Sequence, residues 1–391
     1  MKIGVLTSLF PSSVRPAEGV FALRRWSGMR ERGHAVRVVH PLPWAPLSFG
    51  RSDWAEIGRM SARETRSGLE IARPRYLHLP GRARRNARTF ARCGVRALLA
   101  DERPDVVVGD YAWPAAAAAP LLAEHGLPFV ISGRGSDVLQ VAGEAGLGDE
   151  LAAHLRRAGH WIGVSRHLVD AMDELAGAPG RGRLVPNGVD TELFAPVSRE
   201  QARTKLGRAP GERLVLVVGH LIPRKDPLLA LETLHAIAPE LRATLRGVFI
   251  GRGPLEDAVR ARAKELGLAE RIELVGEQPP ERLATWYSAA DVLLLTSSRE
   301  GRPNVVLEAL ACGTPVLATD AGGTRELLAG LDGMLATSRE PAQLARELEA
   351  LFRREPDREA LRRHVAPLSW SASLETLEAC LRDALAAGSA P

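Results

Sequence analysis

The segment 295–323 reads LTSSREGRPNVVLEALACGTPVLATDAGG and carries more structural information than any other part of the chain. The apolar run 291–295, at its start, predicts a buried strand. Pro303 suits the first turn of a helix, Gly313 ends that helix, and 316–318 predicts a second strand. The segment therefore predicts a strand–turn–helix–strand unit of an α/β protein.

Two glutamates stand in this unit with seven residues between them, Glu300 in the turn and Glu308 in the helix. The stretch 305–312 around Glu308 has no other charge, which predicts a buried helix and a carboxylate that needs partners. Glu300 follows a strand, at the edge where open α/β sheets bind ligands. Because carboxylates accept hydrogen bonds from hydroxyls, the pair suits a polyhydroxylated ligand. The alternative is a surface turn residue and a helix residue paired with an arginine.

This Glu-x7-Glu pattern, followed by Ala-Leu-Ala-Cys-Gly-Thr-Pro-Val, resembles the donor-site signature of the family 4 glycosyltransferases. Members of that family are retaining enzymes with the GT-B fold. The resemblance covers nearly the whole chain. It implies an α/β protein with two Rossmann-like, doubly wound domains that face a central cleft.

Composition agrees with a two-domain soluble enzyme. The 391 residues exceed one usual core, and 45% hydrophobic and 25% charged residues are ordinary for globular proteins. No apolar run reaches the ~18 residues of a membrane span. The three cysteines lack metal or disulfide spacing, which fits a cytoplasmic protein. The net charge of +5 comes with no nucleic-acid recognition motif, so we expect no nucleic-acid partner.

Alternating apolar runs and helical patterns divide the chain into segments. We predict an amino-terminal acceptor domain over 1–194, a linker over 195–212 and a carboxyl-terminal donor domain over 213–365. Over 366–391 an apolar stripe predicts a helix, which in GT-B proteins crosses back to the first domain; packing on the second domain is the alternative. The predicted strands are 3–7, 36–40, 105–109, 129–132, 161–164, 183–186, 214–219, 247–251 and 272–276, besides the two already given.

A diphosphate site is predicted after the first strand of the donor domain. Arg224 and Lys225 precede a helix whose amino terminus would add backbone donors and a favourable dipole. Lys225 is one of only four lysines in the chain. The family carries an arginine where this chain has His220. Arg224 would then supply the positive charge of that arginine. The alternative is that Arg224 and Lys225 are surface residues of a turn and bind no ligand.

The resemblance assigns the catalytic roles. It implies that Lys225 and Arg224 stabilise the departing diphosphate, Glu300 orients the transferred sugar and Glu308 holds the ribose hydroxyls. The other donor-side residues that it implies are Gly219, His220, Gly253, Val275, Gly276, Gly301 and Asn304. Since no Asp-x-Asp motif occurs, we expect neither a metal nor a cofactor.

The acceptor side is predicted in the first domain. The loop that ends at Gly19 resembles one that borders the acceptor in the family. The segment Arg134-Gly135-Ser136-Asp137 resembles the family's His-Gly-Ser-Asp loop, with Arg134 in place of histidine. Asp137 is a catalytic candidate there, and Ser165, at the start of a helix, is a further match.

The sequence thus predicts a retaining, metal-independent hexosyltransferase that moves a sugar from a nucleoside-diphosphate sugar to a glycan, lipid-linked or small-molecule acceptor. The loops at 10–19 and 134–137 resemble members that build bacterial surface polysaccharides, including the teichuronic-acid type. Two alternatives stay open: a sugar-nucleotide epimerase of the same fold, and a silent nucleotide-sugar-binding subunit.

A basic helix over 82–99 concerns localisation. Four of its arginines, at 85, 88, 92 and 96, share one face, and apolar residues share another. Such a helix can dock on anionic lipid, or its charged face can simply be solvated. We expect a cytoplasmic protein that can also lie peripherally on the inner face of the membrane.

Overall fold

The computed structural model describes residues 1–16, 18–44, 52–354 and 356–388, and the chain forms two compact units. The first unit is Met1–Asn187 with Trp370–Pro391, and the second is Gly188–Ser369. No helix in these described ranges is both long enough and apolar enough to cross a membrane.

The first unit is an α/β domain. Its strands are β1 (Lys2–Thr7), β2 (Ala35–Val39), β3 (Leu42–Trp44), β4 (Arg63–Arg66), β5 (Leu69–Ala72), β6 (Arg75–Leu77), β7 (Val106–Asp110), β8 (Phe129–Gly133), β9 (Gly159–Gly163) and β10 (Arg183–Leu184). Its helices are α1 (Val20–Glu31), α2 (Ser52–Arg59), α3 (Ala83–Leu99), α4 (Ala112–Ala115), α5 (Ala119–Glu124), α6 (Ser136–Gly143), α7 (Leu147–Ala158) and α8 (Arg166–Ala176), joined at the end of the chain by α18 (Trp370–Gly388).

The sheet of this unit has the described strand order β10-β9-β8-β7-β1-β2-β5-β4, parallel except for β4. Its central strands are buried on both faces, as the apolar runs of β1 and β7 require. One face packs against α3 and α7, and the other packs against α1 and α18. On that second face, Leu374, Leu377 and Leu381 of α18 are buried.

The second unit is also α/β. Its strands are β11 (Arg213–Val218), β12 (Leu245–Ile250), β13 (Ile272–Gly276), β14 (Val292–Leu295) and β15 (Val316–Ala318). Its helices are α9 (Arg199–Lys205), α10 (Pro227–Ala236), α11 (Pro239–Arg242), α12 (Glu256–Glu265), α13 (Pro280–Ala289), α14 (Asn304–Ala311), α15 (Thr324–Leu328), α16 (Pro341–Arg353) and α17 (Arg358–Val365). The described strands are parallel in the order β13-β12-β11-β14-β15.

Two features differ from the sequence predictions. The predicted linker 195–212 contains α9, whose Arg203 donates to Asp291 at 2.8 Å and to the Ala289 carbonyl at 3.1 Å. These contacts make the segment a part of the second unit. The sequence analysis also missed the small parallel pair of β3 and β6, in which Trp44 lies opposite Leu77.

Candidate functional site

The strand ends of the second unit bring the predicted donor residues to one edge of the sheet. Gly219 follows β11, Gly276 ends β13 and Thr296 follows β14. Because these strands are parallel, their carboxyl ends share an edge, the usual ligand edge of such sheets.

Lys225, Arg224 and Glu300 meet at this edge. Lys225 Nζ lies 2.5 Å from Glu300 Oε1, and Arg224 Nη1 lies 3.4 Å from Glu300 Oε2. Glu300 is only 6% exposed, so its carboxylate needs these cations. The structure therefore joins three residues that the sequence predicted for the same ligand, and it gives them two positive charges against one negative charge.

The cationic turn, residues 223–226, is held by hydrogen bonds to residues that follow β14. The Thr296 hydroxyl lies 2.8 Å from the Asp226 carbonyl oxygen, and the Ser298 amide donates to the Arg224 carbonyl at 2.9 Å. Arg339 donates to the Thr296 carbonyl at 2.8 Å and to Asp226 Oδ2 at 2.7 Å. Arg339, which the sequence analysis missed, thus ties the cationic turn to the loop of Glu300.

The predicted phosphate contact of backbone donors at the amino terminus of α10 stays a prediction. Asp226 is the N-cap of this helix, and its Oδ1 accepts a hydrogen bond from the Leu229 amide at 3.2 Å. One amide of this terminus therefore already has an acceptor, and the other oxygen of the same carboxylate pairs with Arg339 at 2.7 Å. The side chains of Arg224 and Lys225 lie in the turn directly before this helix.

Glu308 lies on α14, and its side chain is half-buried. The Tyr287 hydroxyl, on α13, donates to its Oε2 at 2.9 Å. Burial raises the pKa of Glu308 to about 7, and the hydrogen bond from Tyr287 opposes this rise. Tyr287 was missed by the sequence analysis, since a tyrosine in an apolar helix reads as a core residue; its ring is indeed fully buried.

Two glycine loops pack beside the cationic turn. A Cβ at Gly253 would lie 2.4 Å from the Leu221 carbonyl oxygen, so only glycine fits this approach of two backbones. The Leu221 amide donates to the Arg252 carbonyl at 2.9 Å, which fixes the same pair of loops. Between Gly219 and Leu221, His220 is exposed. Gly253 thus shapes the loop, and its predicted nucleotide contact stays a prediction.

The remaining donor-side residues lie at the same sheet edge. The Val275 carbonyl accepts from the Gln278 side chain at 2.8 Å, and the Gly276 carbonyl accepts from the Gly251 amide at 2.9 Å. Gly301 and Asn304 are buried beside Glu300, with Asn304 the first residue of α14.

In the first unit, Arg134 belongs to a buried ion pair, and its predicted acceptor role stays a prediction. Its side chain is 7% exposed and forms a two-pronged ion pair with the buried Asp110, each prong 2.8 Å long. Its Nη1 donates to Asn187 Oδ1 at 2.8 Å. Trp26 also donates to Asp110, at 2.7 Å. Asp110 is thus the centre of a network with Arg134 that the sequence analysis missed.

Asp137 organises its own loop. Its carboxylate accepts hydrogen bonds from the amides of Ala112, Arg134 and Gly135, between 2.6 and 3.1 Å. Burial raises the pKa of Asp137 to about 6, and these amides oppose the rise. Both oxygens are occupied, so the geometry gives the predicted catalytic role no support.

Ser165 and Gly19 are both helix-start residues. Ser165 is fully buried, and its hydroxyl caps α8 by accepting from the Leu168 amide at 3.3 Å. Gly19 precedes α1 with φ of 70°, and its carbonyl accepts from the Ala22 amide at 2.9 Å. The acceptor contact predicted for Ser165 is unsupported, because its side chain already serves the helix.

Two family models match this chain. Residues 20–193 match the model described as Glycosyltransferase Family 4, and residues 198–365 match the model described as Glycosyl transferases group 1. Together the two matches reach from α1 to the end of α17.

Curated relatives agree with these models. The chain is 28% identical over 365 residues, 91% of this chain and 89% of the relative, to a Bacillus subtilis protein named for teichuronic acid biosynthesis, the glycosyltransferase TuaC. It is 38% identical over 220 residues to the D-inositol 3-phosphate glycosyltransferase of Nocardia farcinica. That match spans 52% of this chain and only 48% of the relative, so the chain covers about half of that protein.

Solved structures show the same fold at low sequence identity. A sucrose-phosphate synthase from Thermosynechococcus elongatus superposes with a TM-score of 0.80 at 20% identity, over 99% of this chain and 100% of that one. Anabaena Alr3699/HepE, in complex with UDP and glucose, gives 0.73 at 18% identity over 98% and 100%. The fold, the two matched models and the relatives lead to one conclusion: this chain is a glycosyltransferase of family 4, with the GT-B fold.

Proposed function

We propose that this enzyme transfers a sugar from a nucleoside-diphosphate sugar with retention of the anomeric configuration. The observation that carries the proposal is the meeting of Lys225 and Arg224 with Glu300 at the strand ends of the second unit. In this proposal the two cations bind the diphosphate, Glu300 orients the sugar, and Glu308 binds the ribose hydroxyls.

The chemistry follows from where charge develops. When the bond between sugar and diphosphate breaks, negative charge accumulates on the leaving phosphate oxygens. Fixed cations stabilise that charge more than they stabilise the bound donor, so they lower the barrier. Lys225 and Arg224 supply this charge, and we therefore propose a reaction that requires no metal or cofactor.

The acceptor is proposed on the first unit, as a glycan, a lipid-linked sugar or a small molecule. A role in bacterial surface polysaccharide synthesis is supported by the name of the B. subtilis relative. UDP, bound in the Anabaena structure, is the first nucleotide to test. A thermal-shift screen of UDP, GDP, ADP and their sugar conjugates identifies the base.

We also propose a cytoplasmic enzyme that docks on anionic membrane through its first unit. Arg85, Arg92 and Arg96 are exposed on α3. Beside this helix Trp44 is 53% exposed and Leu77 is 39% exposed, and Thr89 of α3 donates to the Leu77 carbonyl at 3.1 Å. Exposed apolar side chains next to a row of arginines suit a lipid surface, which offers an apolar boundary and negative headgroups.

Co-sedimentation with vesicles tests this docking. The protein should bind vesicles that contain phosphatidylglycerol more strongly than pure phosphatidylcholine vesicles, and Trp44→Ser should weaken the binding. Val197→Ser is the control, because Val197 is 41% exposed on the second unit. Equal binding to both vesicle types would contradict the proposal.

The central experiment substitutes Lys225. Lys225→Ala should lower transfer by about 100- to 1000-fold, the usual effect of removing one transition-state donor, while the fold is retained. Lys264→Ala is the matched control, since Lys264 is exposed on α12. Retention of most activity in Lys225→Ala would remove the phosphate assignment. Incubation with donor alone completes the test, because an isomerised sugar would reveal an epimerase.

A further inference from the structure

Arg302 is a buried arginine without a hydrogen-bond partner, two residues after Glu300. Its side chain is 5% exposed. Among the described residues Arg302 donates no hydrogen bond, and its Nε is fully enclosed. The nearest carboxylate oxygen belongs to Glu326 and lies 4.0 Å from Nη1. The sequence analysis did not single out this residue.

Two other buried arginines among the described residues donate hydrogen bonds, whereas Arg302 donates none. Arg73 donates to Glu64 and to the Pro11 carbonyl, each at 2.8 Å. Arg203 donates to Asp291 and to two carbonyl oxygens. An ionised group that is buried without hydrogen bonds costs several kcal/mol. Burial lowers the pKa of Arg302 to about 10, opposed by Glu326, so the side chain is still charged at neutral pH.

Arg302 lies in the loop that we assign to the transferred sugar, so the inference rests on the proposed function. Arg224 and Lys225 already serve the diphosphate in that assignment. With a neutral hexose, Arg302 would have only the ion pair with Glu326, at 4.0 Å and without a hydrogen bond. A carboxylate on the sugar would give the planar guanidinium two parallel hydrogen bonds, the strongest pairing open to it.

We propose that Arg302 selects a donor whose sugar is a uronic acid, by pairing with its carboxylate. The chemical class of the donor is thus a nucleoside-diphosphate hexuronate. A phosphate on the acceptor is the competing source of negative charge, and the experiment below separates the two.

Calorimetry with intact protein compares UDP-glucuronate with UDP-glucose and GDP-mannuronate with GDP-mannose, with no need for an acceptor. In whichever of the two donor pairs binds, the uronate should bind about 10- to 100-fold more tightly than the neutral sugar. This is the usual effect of one charge-assisted hydrogen-bonded pair. Arg302→Met should remove this preference, and Arg302→Lys should restore part of it. Arg325→Met is the control, since Arg325 is exposed on α15.

Three outcomes overturn the inference. The wild-type enzyme could bind the neutral sugar equally well, or Arg302→Met could weaken both sugars of a pair by the same factor. Arg302→Met could also weaken binding of glucose 6-phosphate in the presence of UDP without altering the donor preference, which would move the anion to the acceptor. The proposed function fails separately, when no nucleoside diphosphate binds or when Lys225→Ala leaves binding and transfer unchanged.

Discussion

The Tyr287 hydroxyl donates to Glu308 Oε2 at 2.9 Å, from α13 to α14. This bond occupies one carboxylate oxygen, and in the proposed function the other binds ribose hydroxyls. It also joins the two helices that precede and follow β14 in the chain, so the acid is held in place before any nucleotide arrives. The pairing gives Glu308 two measurable properties, a pH dependence and a role in nucleotide affinity.

The pH dependence concerns stability. The pKa of Glu308 is raised in the folded protein from 4.5 to about 7, so the folded state holds its proton more tightly than the unfolded chain does. The stability from this group is complete below about pH 4.5 and is lost as the pH rises to about 7. Chemical unfolding at several pH values should show wild type losing up to ~3 kcal/mol relative to Glu308→Gln over this range. Parallel pH profiles for the two proteins would contradict the assignment.

The second property, nucleotide affinity, depends on the Glu308 oxygen that Tyr287 does not occupy. Glu308→Gln replaces a strong charged acceptor by a weaker one, so UDP binding should weaken by about 10-fold in calorimetry. Tyr287→Phe should have a smaller effect, because it only releases the carboxylate. Glu281→Gln serves as control, since Glu281 is exposed at the start of α13. Unchanged affinity in Glu308→Gln would exclude the ribose role.

Arg339 should act as a positioning residue. Arg339→Met removes the hydrogen bonds to the Thr296 carbonyl and Asp226, so the cationic turn should lose its alignment with Glu300. We expect kcat to fall by about 10- to 100-fold with a smaller change in KM, because alignment matters most in the transition state. Arg339→Lys should recover part of the rate. The control is Arg346→Met on the exposed side of α16. An equal fall of kcat in both variants would refute the positioning role of Arg339.

Asp110 should be essential for stability. Burial alone would raise the pKa of Asp110, but Arg134 and Arg25 lower it below its ordinary value. Asp110→Asn leaves these buried cations without their counter-charge and should cost about 3–5 kcal/mol in urea unfolding. Asp320→Asn breaks an exposed pair with Arg325 and should cost under about 1 kcal/mol. Similar costs for the two variants would show that the buried network is dispensable.

The central strands were predictable because they are apolar on both faces, as in Val106–Asp110 and Val292–Leu295. The pair β3 and β6 was not, because each strand has three residues and leaves one hydrophobic residue exposed. The meeting of Lys225 with Glu300, far apart in the chain, agrees with the family resemblance and with the rule that parallel strands share their carboxyl edge.

Other parts of the site could not be predicted from sequence, for a physical reason. Arg134, Asp137 and Ser165 are residue types that bind ligands, but the same types also form buried ion pairs, loop anchors and helix caps. Only the neighbours in space distinguish these uses. Tyr287 and Arg339 were missed for the converse reason, since their partners lie far away in sequence and no local pattern marks them.

The N-cap Asp226 has a consequence for how this enzyme can change over evolution. Where a rigid backbone cradle holds phosphates, the number of phosphates accepted is built into the main chain. Here Asp226 caps the first turn of α10, and in the proposed function the charge for the leaving group resides in two side chains. Discrimination among mono-, di- and triphosphate nucleotides is therefore open to single codon changes that leave the protein scaffold intact.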